Sequence, residues 1–399
     1  MTTQCVPTNA DDATAALQGA IDSGVTKVIV PYRGRPWAIR PITLASDQEI
    51  IFEPGVKVIA EQGEFKGMND CLFEASDKEH IILRGYGATL GMRKEDYIGS
   101  GYDQGEWRHI LQLVGCHNVE VLGLTLRDSG GDGIYLGQGG ATSPHCKDIF
   151  IEDCTCDNNY RQGISVVSAE DLRIVNCTLK NTSGHSPGAG IDLEPNEPWN
   201  KLANIVVRNC ISEDNEGRGF IVSLHKLNEV SADISIVFKD CYAKGCGRGL
   251  EIVTNNLVGP KGSIEFRNCV VEDALSAAAW IVTNTRSFGL RFTKCKINNT
   301  NCADAFPEKE YIFSDNEYGF PIVLRIRRQE TLDAAGEIYF DDCWVYGIKD
   351  GPALFVRTSG SGVINIGGNI YAQRKDIGEP VTGPDAENIR LNVEWRVDH

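Results

Sequence analysis

The sequence predicts an all-β solenoid, a parallel β-helix, on three observations. First, a strand-turn-cysteine unit recurs. It reads DIFIEDC to Cys154, DLRIVNC to Cys177, NIVVRNC to Cys210, SIVFKDC to Cys241, SIEFRNC to Cys269, GLRFTKC to Cys295 and EIYFDDC to Cys343, at steps of 23, 33, 31, 28, 26 and 48 residues. Second, each repeat carries another short strand opened by small residues: GDGIYLG, RQGISVVS, GAGIDLEP, GRGFIVSL, GRGLEIVT and AAAWIVTN. Third, the segments between them (DNN, KNTSG, EDNEG) are Asn, Asp, Gly and Ser turn chemistry, with no helical period. A strand repeat at such a period indicates stacked coils.

The elements follow in order. Residues 1–24 form an N-terminal cap: Ala13, Leu17, Ala20 and Ile21 stand at helical spacing, with Asp11 or Asp12 able to cap the helix. A solenoid exposes apolar core at its ends, and this helix covers one of them. Coils occupy 25–370, the earlier ones using HIILRGY and NVEVLGL without the cysteine. Residues 371–399 supply a C-terminal strand, NIRLNVEW, after a polar turn-rich stretch. No linker divides the chain, so it reads as one domain over 1–399. The cysteines at equivalent positions read as a column of buried free thiols, because Cys is small and readily buried. The close pair Cys154-x-Cys156 is too little for a metal site.

With 39 Lys plus Arg against 55 Asp plus Glu, the formal net charge is −16 and the pI is near 5.0. That balance and the lack of a basic cluster exclude nucleic acid as the main partner. No apolar run reaches the ~18 residues of a membrane span. No leader is visible, which places the protein in the cytoplasm unless Met1 stands where a secretory signal was removed.

The segments DDATAALQGAI, VIVP, EIIFEPGVKVIA, GGDGIYLG and GISVVSAEDLRIVNC resemble the pectate-lyase-like right-handed β-helix superfamily over residues 10 to 370. That family includes polysaccharide lyases, pectin hydrolases, epimerases and phage tailspikes. The resemblance implies a right-handed helix and a carbohydrate substrate. Polygalacturonase-type hydrolases carry Asn-Thr-Asp, then Asp-Asp, Gly-His-Gly and Arg-x-Lys on successive coils. Here Gly130-Gly131-Asp132 stands in the first place, but Arg161-Gln162 and Gly188-Ala189-Gly190 follow, so Asp132 alone carries over. Calcium-dependent lyases of the family use an Arg or Lys base beside acidic ligands. Arg161, Arg218, Lys226 and Arg248 are available for that role, and Ca2+ would be the cofactor; a hydrolase would need none.

The residues themselves point to hydrolysis. In GIDLEPN, alternation turns Ile191 and Leu193 inward and Asp192 and Glu194 outward, with Cα atoms ~6.6 Å apart at ~3.3 Å per residue. Two carboxyls flanking a glycosidic bond lie ~5–9.5 Å apart, so Asp192 and Glu194 are the candidate acid–base pair. Asp132, Arg161, Trp199, Arg218, His225, Lys226, Arg248 and Glu251 are candidate substrate-binding residues on the same strand faces or in adjoining turns. Cations bind acidic sugars and aromatic faces stack on pyranose rings. The stacked Arg218 and Arg248 need an acid between them, for which Asp214 and Glu216 are at hand. The sequence thus predicts a polysaccharide- or oligosaccharide-cleaving hydrolase. A lyase acting by β-elimination and a non-catalytic carbohydrate-binding or fibre-type solenoid are the alternatives.

Overall fold

The computed structural model describes residues 2–4, 12–140, 144–254, 259–282, 287–300, 320–325, 337–348, 353–357, 366–373, 381–382 and 390–396. Asp11 lies outside them. The chain forms two compact units, residues 1–190 and 191–399. Among the described residues no helix is long and apolar enough to cross a membrane.

The first unit opens with the helix Thr14–Asp22, which buries Leu17 and Ile21. Asp12 accepts the Thr14 N–H at 2.9 Å, satisfying one of the free donors of the first turn. Gln18 clamps the helix to the first coil: its amide donates to the Thr43 carbonyl at 3.0 Å and its side-chain oxygen accepts the Thr43 N–H at 2.9 Å. Parallel ladders then run coil on coil. One ladder carries Phe73–Ser76, Leu111–Val114, Asp132–Gly137 and Gln162–Val166 in succession, with Glu74 opposite Gln112, Gln112 opposite Tyr135 and Tyr135 opposite Ser165. In the other, the long strands Cys146–Glu152 and Ala169–Val175 pair with each other, and so do the short strands Thr155–Asp157 and Thr178–Lys180. A single four-residue helix, Lys94–Tyr97, is the one other helix among the described residues.

The second unit repeats the scheme. Arg218–Ser223, Arg248–Val253, Ala279–Val282, Ile322–Arg325 and Leu354–Arg357 pair in parallel. In the second ladder Leu202–Arg208 is followed, coil by coil, by Ile234–Lys239, Gly262–Arg267, Phe288–Thr293 and Glu337–Tyr346. The C-terminal strand Arg390–Arg396 adds in parallel to Ile366–Gln373.

The cysteine unit has a backbone cause. The residue before each repeat cysteine is left-handed: Asp153 (φ 56°), Asn176 (55°), Asn209 (52°), Asp240 (54°), Asn268 (52°), Lys294 (53°) and Asp342 (54°). Asn and Asp tolerate that conformation best among residues with a side chain. The bend turns the following cysteine inward, where it is buried and free. Beside the cysteines of the second unit, Phe238, Phe266, Phe292 and Phe340 stack face on face at 4.8, 5.1 and 4.9 Å, within 9° of parallel.

The repeated Gly-Arg-Gly also has a steric reason. A Cβ on Gly249 would meet a Val271 methyl at 2.3 Å and the Ala278 carbonyl at 2.8 Å. A side chain there would have to push Val271 or the Ala278 backbone aside.

Candidate functional site

Within the second unit, Ile191 and Leu193 are fully buried, as alternation requires, and they bracket Asp192. Asp192 does not face an open groove as the alternation predicts: it is 1% exposed. The neighbouring side chains cover a strand face that sequence alone leaves bare. Glu194, two residues on, keeps 36% of its side chain exposed, with its Oε1 3.9 Å from His225 Nδ1. That nitrogen sits closer to Ser223 Oγ, at 2.9 Å. Serine and acid therefore approach the same ring nitrogen. A Ser–His–acid relay uses opposite nitrogens, so this is not a serine nucleophile.

The insertion after Glu194 is a built loop. Asn200 is buried and its side-chain oxygen accepts the N–H groups of Asn196 and Glu197 at 3.0 and 2.8 Å. Ser231 Oγ donates to the Pro198 carbonyl at 2.7 Å. Anchored in this way, Trp199 presents its indole to solvent at 59% exposure. Lys226 is exposed next to His225.

Arg218 and Arg248 are register partners, and Glu251 is an acid that both of them meet. Arg218 Nε donates to Glu251 Oε2 at 2.9 Å, and Arg248 Nη1 donates to the same oxygen at 2.8 Å. Burial alone would raise the Glu251 pKa, but the two guanidinium groups outweigh it and hold the carboxyl below its usual range. Arg248 also lies over the Trp280 ring, 3.8 Å from its centroid, a favourable cation–π contact. Trp280 is the register partner of Glu251. Sequence reasoning passed over it, although its place in AAAWIVTN aligns it with Glu251.

The first unit holds a separate cluster. Asp132 is fully buried, and Arg161 grips it with Nε at 2.9 Å and Nη2 at 2.6 Å. His109, also buried, lies stacked on Tyr135 at 4.6 Å and 4°. Its Nδ1 accepts the Asp132 N–H at 2.9 Å. The 3.2 Å approach of Nδ1 to the Asp132 carboxylate is therefore not an ion pair, since a protonated Nδ1 could not accept. Burial, assisted by the Arg161 charge and opposed by Asp132, pushes the His109 pKa down to about 4. In the sequence Trp107-Arg108-His109 precedes the strand ILQLVG and reads as a string that lines the groove one coil earlier; His109 is instead buried. Nearby, Glu106 and His185 approach to 3.7 Å beside the 38%-exposed Trp107.

Among the described residues no three His, Cys, Asp or Glu side chains converge as metal ligands. Among the described residues none form the acidic cage that calcium needs.

The fold is a right-handed parallel β-helix. The family model for a right-handed β-helix region matches residues 139–234. The tailspike of E. coli bacteriophage HK620, solved with a pentasaccharide, is similar at 12% identity over 98% of this chain and 76% of its own, with a TM-score of 0.59. The family 28 exopolygalacturonase of Yersinia enterocolitica is similar at 11% identity over 100% and 77%, with a TM-score of 0.57. At such identities these likenesses carry the fold alone. In sequence, an uncharacterized protein of Bacillus subtilis (strain 168) is 27% identical over 131 residues, which are 31% of this chain and 22% of that relative.

Proposed function

We propose that the chain is a carbohydrate-active enzyme that hydrolyses a polysaccharide or oligosaccharide, with Asp192 and Glu194 as its paired carboxyl groups. The observation that carries this reading is Glu194: a reachable carboxylate 3.9 Å from His225, two residues after Asp192 at the end of its strand, and followed by a braced loop that exposes Trp199. In this reading Glu194 exchanges the proton with the glycosidic oxygen or water, His225 and Ser223 orient it, and Trp199 stacks on a pyranose ring. In this reading Asp192 is the partner carboxyl. Lys226 is exposed to meet the polymer, while Arg218, Arg248 and Glu251 brace a strand face of the same unit. The solved neighbours support a saccharide substrate, one being an exopolygalacturonase and the other a tailspike bound to a pentasaccharide.

Elimination is less well supported. An arginine acts as a base only after losing its proton, and a carboxylate partner fixes that proton. Arg161 is held by Asp132, and both Arg218 and Arg248 by Glu251.

The test is a screen of diverse polysaccharides read for new reducing ends and for unsaturated-uronate absorbance. New reducing ends without absorbance support hydrolysis. Absorbance would replace it with elimination, and binding without cleavage with the non-catalytic reading.

A further inference from the structure

A column of sulfur runs through the second unit. Cys210, Cys241, Cys269, Cys295 and Cys343 hold one position in successive coils, and all are buried and free. Cys241, Cys269, Cys295 and Cys343 each point their thiol at a carbonyl of the preceding coil, those of Val207, Phe238, Phe266 and Phe292, at 3.4 to 3.5 Å. The adjoining phenylalanine column measures the rung at 4.8 to 5.1 Å. Such a span is far too long for the ~2.05 Å disulfide bond. It suits a different bond: two metal–sulfur bonds of ~2.3 Å in line reach ~4.6 Å. Soft thiol ligands favour copper(I), a d10 ion content with two ligands in a line.

The place where an ion would enter is also defined. A cavity of about 20 Å³ opens against Cys269, Cys295 and Cys343 and is otherwise walled mainly by apolar groups such as Leu250, Phe292 and Ile322. That is about the room one small atom requires, in a lining that offers water too few partners to hold it. Cys295 is the most exposed thiol of the column, at 7% against 0 to 4% for the other four. With no three ligands converging among the described residues, a tetrahedral site is not offered, whereas a two-coordinate one is.

We propose that Cys295, with Cys269 or Cys343 on the adjoining rung, forms a linear binding site for copper(I). The Cys295 thiol releases its proton to solvent and its sulfur bonds the ion, while the neighbouring thiol donates a lone pair and keeps its proton. One monovalent cation replaces one proton, so the apolar interior gains no net charge and no electron is transferred.

Silver(I), which shares this coordination and is not redox-active in water, is the probe. The full reduced chain is exposed to silver nitrate without oxygen, desalted, and weighed by native mass spectrometry. The wild type is expected to retain silver, and Cys295→Ser one ion fewer, with an unchanged circular-dichroism spectrum. Should Cys295→Ser fail to fold, X-ray absorption of silver in the wild type must show two sulfur neighbours. Failure of the wild type to retain silver, equal retention by a folded Cys295→Ser, or nitrogen and oxygen neighbours would each overturn the proposal.

Discussion

Arg161 holds Asp132 through two nitrogens, at 2.9 and 2.6 Å, and Asp132 has no exposure to solvent. A buried carboxylate gripped in this way is costly to leave alone. Asp132→Ala or Arg161→Ala should each lower stability by ~3–5 kcal/mol, the range for breaking a buried pair. The double variant should lose much less than the sum. Urea unfolding of the four proteins checks this; additive losses would mean that the two side chains are not coupled.

His109 sets a pH dependence. Its folded pKa is lowered from 6.5 to about 4, so between those values the unfolded chain binds a proton that the folded chain does not. Its contribution is complete above pH 6.5 and is lost as pH falls towards 4, by roughly 3 kcal/mol in all at ~1.4 kcal/mol per unit. Stability measured from pH 7 to 4 should fall more steeply in the wild type than in His109→Gln. Parallel curves would contradict the neutral buried imidazole.

Two glycines of the second unit should behave oppositely. Gly249→Ala places a methyl against Val271 and the Ala278 carbonyl, and overpacking of this kind costs ~1–3 kcal/mol. At Gly289 the nearest atom to a new Cβ is 3.7 Å away, so Gly289→Ala should be tolerated. Melting temperatures of the two variants decide it.

Lys294 is the one residue before a repeat cysteine that is neither Asn nor Asp, and it holds the same left-handed bend. Lys294→Asn should raise stability by up to ~1 kcal/mol, since Asn visits this conformation at less cost. Chemical denaturation would show a higher midpoint; a lower one would mean that the lysine side chain contributes more than the bend costs.

The coil architecture was legible because it repeats. A cysteine after Asn or Asp at one point of every coil marks a bend and an inward side chain, and the Gly-Arg-Gly strings mark strand openings too crowded for a Cβ. The candidate site was only partly legible. Alternation puts Ile191 and Leu193 inside correctly, but it treats a strand as alone. It therefore says nothing of the groups that cover Asp192. Glu251 meets Arg248 from three residues on in the same strand and Arg218 from the next coil, and the second relation is one that sequence neighbours do not reveal. The string Trp107-Arg108-His109 is legible as lying one coil before Asp132, but the burial that sets His109 against Asp132 is not.

The central claim is that Asp192 and Glu194 cleave a glycosidic bond, and the turnover of Glu194→Gln tests it most directly. On a saccharide that the wild type cleaves, Glu194→Gln should lower kcat by ~10²-fold or more, the scale of losing a general acid or base. Asp192→Asn should do likewise, with the circular-dichroism spectrum of both variants unchanged. Near-normal turnover by a folded Glu194→Gln would contradict the assignment.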